Sequence, residues 1–297
     1  MNKLVLTALA EFGVHEVESV IRIEDKNMWV IDNKYVLKTY GDLNRLERVQ
    51  QINIELLQFG VPVVKFNKTH TGDLYVKVAD DVYYALMDKV YGSCIDYKKG
   101  SYSFSLGKNM AKLHLGLKNL SSKISRPNES SLMMQLHGWI LEEVTKKQLP
   151  IRKEIIDYCI SFDELYQKLP KQIIHRDLHG GNILFENGEL SAFLDFDINQ
   201  VTARLFDVCY CMDYGKTSDE GFIIWVENFK DFLRGYNSVS EITKEELEAL
   251  PYMFILIQLL SVAYDSSIET RIDRVDEGIE YLDWLYDNKN KFEPFCK

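Results

Sequence analysis

Three residues of this sequence have the types and spacing to do chemistry: Asp177, Asn182 and Asp195. The first two lie in "HRDLHGGN", residues 175–182, and the third in "FLDFD", residues 193–197. Asn182 offers a neutral amide oxygen and Asp195 a charged carboxylate. Together they suit a hard, oxygen-seeking ion such as Mg²⁺ carried on a nucleotide. Asp177 is then left to accept a proton. A proton-accepting Asp and two oxygen ligands for a metal are what phosphoryl transfer requires, because the base orients an acceptor hydroxyl and the metal neutralises phosphate charge. The competing reading is a polar turn with a solvated Asp, but three such residue types at this spacing rarely coincide.

These residues need elements to hold them. "ILFENGELSAFLDF" reads as a two-strand hairpin turning at Asn187-Gly188, which would bring Asn182 and Asp195 to adjacent strand ends. A phosphate-binding cation must come from elsewhere, and "KYVLKTYG" supplies Lys38 on a strand. In "LMDKVYG", residues 86–92, a carbonyl at Asp88 and an N–H at Val90 could pair with an adenine edge, with Leu86 and Met87 packed nearby.

The chain changes character near residue 90. Before it, "ESVIRIED", "NMWVIDNKYVLKTYG", "GDLYVKVADD" and "VYYALMDKV" read as strands of an antiparallel sheet. One helix interrupts them, with Val49, Ile52, Leu56 and Phe59 at helical spacing and Gly60 as its stop. After residue 100 the pattern is helical. Leu106, Met110, Leu113, Leu117 and Leu120 form one stripe, and Ile155, Tyr158, Cys159 and Phe162 another. Thr243 with Glu246 makes a capping box. Ile268, Ile272, Val275, Ile279 and Leu282 face one way late in the chain. Two domains follow: residues 1–88 as a nucleotide-binding lobe and 89–297 as a catalytic, acceptor-binding helical lobe.

Length and composition agree. The 297 residues are 46% hydrophobic and 27% charged, which suits two globular lobes. The net charge of −10 argues against a nucleic-acid partner. No run is long enough to span a membrane; "YMFILIQLLSVAY", residues 252–264, reads as a buried helix. The start of the chain lacks the apolar core of a secretory signal. Five scattered Cys read as reduced thiols in a cytoplasmic protein, with no zinc site.

On "VLKTY", "GVPVV", "ALMDKVYG", "MAKLH", "HRDLHGGNILF", "FLDFD" and "ARLFDVCY", the chain resembles the aminoglycoside phosphotransferase and choline kinase-like family of small-molecule kinases. These pieces run in family order from about residue 28 to 214. The resemblance implies an α+β, bilobal protein-kinase-like fold, with a small antiparallel-sheet N-lobe and a larger helical C-lobe. It makes Asp177 the catalytic base, Asn182 and Asp195 the Mg²⁺ ligands and Lys38 the phosphate-binding lysine, with ATP held at Met87, Asp88 and Val90. It makes Asp207 a brace for the catalytic loop.

Two departures stand out. The helix Glu that partners the lysine in the family falls near Gln50, with Glu47 and Glu55 beside it. The turn "IEDKNMW" lacks a glycine-rich loop. Little room follows "LDFD" for a peptide-docking segment, so a protein kinase is disfavoured. The main expectation is transfer of the γ-phosphoryl group of Mg-ATP to a small-molecule hydroxyl. A nucleotide-binding scaffold with little turnover is the alternative.

Other residues keep two readings. His175 braces the loop or takes part in catalysis, and His179 stands near the pocket or in it. His114 is a buried, hydrogen-bonded group or a ligand. Asp197 supports the metal ligands or caps a turn. The late acids Glu269, Asp273, Asp276, Glu280 and Asp283 are a solvated helix face or an attractor for a cationic acceptor.

Overall fold

The computed structural model describes residues 3–23, 27–94, 102–120, 131–213 and 219–295. Residues 24–26 of the "IEDKNMW" turn lie outside them. The contacts among these residues form two compact units, one made of the residues up to 94 with 181–197, the other of the rest. The hairpin thus clusters with the first unit, whereas a single boundary at 88/89 assigned it to the second.

In chain order the first stretch contains helix α1 (Lys3–Glu11), strands β1 (Val20–Ile23), β2 (Met28–Ile31) and β3 (Tyr35–Tyr40), helix α2 (Leu43–Gln58), and strands β4 (Val76–Ala79), β5 (Val82–Asp88) and β6 (Ser93–Cys94). Then come helices α3 (Ser103–Leu120), α4 (Leu132–Gln135), α5 (Leu141–Lys146), α6 (Lys153–Ser161) and α7 (Asp163–Lys168). Strands β7 (Lys171–Ile174), β8 (Ile183–Glu186), β9 (Glu189–Phe193) and β10 (Gln200–Ala203) follow. Helices α8 (Leu205–Cys211), α9 (Asp219–Asn237), α10 (Lys244–Glu248), α11 (Leu250–Ser266) and α12 (Val275–Asp287) come next, and a 3₁₀ turn over Lys289–Phe295 ends the described chain.

The first unit is built on an antiparallel sheet in the order β1-β2-β3-β5-β4. Helix α1, which the sequence reading did not assign, lays Val5, Ala8 and Leu9 against Ile31, Leu37, Tyr84 and Leu86. Helix α2 starts at Asp42, whose carboxylate accepts the Arg45 N–H at 3.2 Å. It buries Leu46, Val49, Ile52 and Leu56. Phe59 does not continue this stripe: it is the C-cap residue, 47% exposed, because the helix closes there with Val61 N–H donating to the Leu56 carbonyl at 2.9 Å.

The β8–β9 hairpin turns at Asn187 and Gly188, both with positive φ, as the sequence indicates. Two attachments tie it into the first unit. Phe193 bridges Val63 and donates its N–H to the Pro62 carbonyl at 2.9 Å. β6 pairs with β8, and this needs Gly92: a Cβ there would lie 2.7 Å from Ser191 Oγ and 2.9 Å from the Phe185 carbonyl.

In the second unit α3 and α9 cross at two glycines. A Cβ on Gly107 would sit 2.0 Å from the Phe232 carbonyl, and one on Gly235 would sit 2.0 Å from the Phe104 carbonyl. The Leu106–Leu120 stripe is buried along α3. The two-stranded pair β7–β10 leads from α7 to α8; β10 was not anticipated. The capping box at Thr243 and Glu246 is present, and Glu246 also takes a bidentate bond from Arg204 at 2.7 and 2.8 Å. α11, which contains the apolar run, is buried over most of its length. Among the described residues no helix is long and apolar enough to cross a membrane. The late apolar stripe starts only at Val275: residues 269–274 form a 3₁₀ turn, and its tighter winding leaves Ile272 51% exposed.

Candidate active site

In the first unit a cavity of about 300 Å³ collects Lys38, Tyr40, Met87, Asp88, Val90, Asn182, Asp195 and Asp197. β3 supplies Lys38 and Tyr40 from one face, two residues apart, while Leu37 and the core face lie opposite. The hairpin supplies the acids. Ile183 pairs with Phe193, and Leu194 donates its N–H to the Asn182 carbonyl at 2.9 Å. Asn182 and Asp195 therefore flank one strand end, as the spacing implies. Asp195 holds φ +64°, a left-handed conformation that Asp tolerates better than most residues.

Lys38 Nζ lies 3.0 Å from Asp195 Oδ1 and 2.9 Å from Asp197 Oδ2. Burial alone would lower the ammonium's pKa, but Asp197 and Asp195 outweigh it and hold it above its usual value. Burial raises the Asp197 carboxyl, with Lys38 opposing and Asp195 adding to the shift. The ammonium also sits 5.0 Å from the centre of the Tyr40 ring. Asp197 is thus a partner of Lys38 and Asp195 in one charged knot.

Met87, Asp88 and Val90 line the cavity, but Leu86 points to the opposite face and packs under α1. Leu86 is therefore not a cavity residue. Asp88 donates its N–H to the Lys65 carbonyl at 2.9 Å and accepts from Asn67 Nδ2 at 2.9 Å. α2 faces the cavity with Val49 and Asn53. Gln50, expected near Lys38, instead donates to the Leu74 carbonyl at 2.8 Å. Neither Glu47 nor Glu55 lines the cavity.

In the second unit Asp207 is fully buried on α8. It accepts the N–H groups of His175 and Arg176, both at 2.8 Å, and meets His114 Nε2 at 3.3 Å. The other His114 nitrogen bonds Tyr236 Oη at 2.7 Å, across the glycine crossing of α3 and α9. Arg176 holds φ +78°, a costly conformation for a long side chain. Its guanidinium stacks 4.0 Å from the Phe206 ring centre and donates to Gln200 and Gln135. Asp177 follows on this frame. Its N–H donates to His175 Nδ1 at 3.2 Å, and its carboxylate, 29% exposed, accepts from Tyr210 Oη at 3.3 Å. His179 Nε2 lies 3.8 Å from Asp177 Oδ2. His175 is fully buried, and His114 is buried and hydrogen-bonded through both ring nitrogens. Burial, then Asp177, pushes the Tyr210 phenol up to about 12.

The donor set by Asn182, Asp195 and Asp197 consists of oxygens, which fits a hard divalent ion. Among the described residues no three His, Cys, Asp or Glu side chains form a closed metal cage. A cation here would rest on Asp195 and Asn182 and leave positions for phosphate oxygens, the way Mg²⁺ is usually held beside a nucleotide.

Tyr40, Asn53 and Tyr210 were not singled out in the sequence. Lys38 and Tyr40 at i and i+2 on a strand carried a signal for the first. Asn53, one turn after Val49, carried one only once the buried face of α2 is known.

Residues 21–242 match the model of the phosphotransferase enzyme family. A homoserine kinase of Agrobacterium fabrum is 29% identical over 178 residues, which cover 57% of this chain and 52% of that protein. A homoserine kinase of Janthinobacterium is 24% identical over 240 residues, covering 76% and 72%. The chain thus spans about half the length of the first of these relatives. Among solved structures, an amicoumacin kinase bound to AMP-PNP and Ca²⁺ is similar at TM-score 0.67 and 18% identity, over 90% of this chain and 88% of that one. A microcompartment-associated aminopropanol kinase is similar at TM-score 0.68 and 16% identity, over 97% and 98%. These likenesses carry the α+β, two-lobed kinase-like fold expected from the sequence.

Proposed function

Because the chain belongs to the phosphotransferase enzyme family, matched over residues 21–242, we propose that it moves the γ-phosphoryl group of ATP to a hydroxyl of a small molecule. The observation that carries this reading is the buried ammonium of Lys38 held between Asp195 and Asp197, with Asn182 lining the same cavity. A lysine, two acids and an amide oxygen are the groups that receive a triphosphate and its counter-ion. Mg²⁺, when bound with the nucleotide, supplies charge neutralisation at the phosphates. Asn182 and Asp195 would hold it and Lys38 would bind phosphate oxygens. The strand end at Met87, Asp88 and Val90 would take the base, with the Asp88 carbonyl accepting an adenine amino group and the Val90 N–H donating to the ring. Residues 1–88 then serve the nucleotide and 89–297 carry the base and acceptor, with the hairpin lending its metal ligands to the nucleotide side.

Asp177 accepts the proton of the acceptor hydroxyl. Asp207 keeps the loop before it in place through the His175 and Arg176 N–H groups, and Tyr210 holds one carboxylate oxygen. The acceptor is proposed to carry an amine beside its hydroxyl. Homoserine and aminopropanol, named for the similar proteins above, both do, and the net charge of −10 favours a cation. The late acids add little support. Glu269, Asp273, Asp276 and Glu280 are exposed, and Asp283 is engaged by Arg152 at 2.8 Å.

The test is calorimetric titration with Mg-ATP, followed by ADP release with homoserine, amino alcohols, aminoglycosides and neutral sugars. Absence of nucleotide binding would sink the reading. The second reading, a nucleotide-binding scaffold, is favoured by one observation: α2 presents Val49 and Asn53 to Lys38's cavity rather than an acid. Tight nucleotide binding with no ADP release across the panel would support it.

A further inference from the structure

Lys38 has two partners here, Asp195 and Asp197. On the nucleotide-binding reading above, Asp195 has to turn to a divalent cation, and the ammonium loses part of its cage while it remains largely buried. A buried ammonium needs acceptors. The phosphates provide some, and the protein side has to supply the rest if the lysine is to stay aimed. α2 brings no carboxylate to the cavity. It brings Asn53, which is 1% exposed.

The Asn53 amide is half used. Its Nδ2 donates to the Val49 carbonyl at 2.8 Å, one turn back along the helix. Its Oδ1 is buried and has no hydrogen-bond partner. A buried acceptor without a donor is costly and calls for an explanation. Asp197 Oδ1 is the other cavity acceptor in this condition, and it belongs to an acid that already holds Lys38. We propose that Asn53 is a positioning residue for Lys38: its Oδ1 receives the ammonium when Mg-nucleotide draws Asp195 away.

An amide serves this exchange better than an acid would. In the unloaded protein Lys38 is already taken by two carboxylates. A third carboxylate at position 53 would be buried beside them without a cation of its own. The neutral amide can wait unpaired and accept later. The Nδ2 bond to the Val49 carbonyl holds the amide against its own helix and leaves Oδ1 as the unused acceptor.

The experiment is a double-mutant cycle on the full chain, titrating Mg²⁺ with a non-hydrolysable ATP analogue into wild type, Asn53→Leu, Lys38→Met and the double variant. Asn53→Leu is expected to weaken binding about tenfold in the wild-type background, the size of a lost hydrogen bond to a charged group. It should cost less than about twofold once Lys38 is Met, because coupled groups are not additive. Equal losses in both backgrounds overturn the proposal. If Asn53→Leu does not fold, Asn53→Ala goes through the same cycle. Asn53→Asp adds an independent reading, and it decides the matter if Lys38→Met binds too weakly to titrate. It keeps Oδ1 and gives up the Nδ2 bond. It should lower the melting temperature of the unloaded protein and bind the analogue at least as tightly as wild type. Affinity as poor as that of Asn53→Leu would mean that the Val49 bond is what matters, and the proposal falls. Failure of wild type to bind any nucleotide would overturn the functional reading and this inference together.

Discussion

Two acidic centres in this molecule are held in opposite ways. Asp207 is fully buried and spends its oxygens on two backbone N–H groups at 2.8 Å and a histidine at 3.3 Å. Asp195, 35% exposed, and Asp197 are held by one lysine at 3.0 and 2.9 Å. Backbone donors cannot leave without undoing β7 and the loop after it. A lysine on a flexible stem can. The first centre therefore fixes geometry, and the second keeps its charge available for exchange with a ligand. The difference teaches where rigidity is placed: in the frame that holds the proposed base, and not at the groups proposed to meet phosphate.

The largest expected effect comes from breaking the fixed centre. Asp207→Asn sets an amide N–H against backbone N–H donors in a buried site. We expect a loss of stability of about 3–5 kcal/mol, read by chemical denaturation, and no turnover. Asp195→Asn should leave stability within about 1 kcal/mol, since Lys38 keeps Asp197 and the group is partly solvated. Equal destabilisation by the two variants would erase the distinction.

Next is Asp177, the proposed base. Asp177→Asn should fold normally and lower kcat by roughly 10²–10⁴, as for a lost general base, with nucleotide affinity unchanged in calorimetry. Wild-type kcat in a folded variant would remove Asp177 from the mechanism. Smaller again is Lys38→Met. Nucleotide affinity should fall about 10- to 100-fold by loss of a charge-assisted contact, while the melting temperature falls much less than in Asp207→Asn, because Asp195 and Asp197, left without their cation, are partly exposed. A large drop in melting temperature would show that the Lys38 pairs are structural after all.

The sequence made parts of this comparison legible. The spacing from Asp177 to Asp195 is local, and Asn187-Gly188 announces a turn whose two strands must align Asn182 with Asp195. The resemblance pointed to Asp207 as a brace, and its hydrogen bonds agree. Which residues of α2 line the lysine's cavity was not legible. Counting back from "GVPVV" led to Gln50, but α2 lines the cavity with Val49 and Asn53, and Gln50 donates to the Leu74 carbonyl. Helix α1 was missed because nine residues are too few to establish a period against an unknown partner. The late isoleucine stripe failed for a related reason: a 3₁₀ turn of three residues per turn breaks the 3.6 period at Ile272.

The smallest expected effect tests how finely the fixed centre controls Asp177. Tyr210 lies one turn after Phe206 on α8, the helix that also carries Asp207, and its ring stacks near Phe206 at 5.6 Å. α8 thus holds the loop twice, through Asp207 on the backbone and through Tyr210 Oη on the Asp177 carboxylate at 3.3 Å. That bond is long for O–H···O, so its worth is about 1 kcal/mol. Tyr210→Phe removes it and leaves the ring packing intact. We expect kcat to fall about fivefold with little change in nucleotide affinity or in melting temperature. The acceptor KM should also stay within about twofold, because the hydroxyl acts on the direction of the carboxylate and the acceptor is bound by other groups. A variant with wild-type kcat would confine the α8 frame to the backbone of the loop. A variant whose acceptor KM rises while kcat holds would make Tyr210 a contact of the acceptor instead.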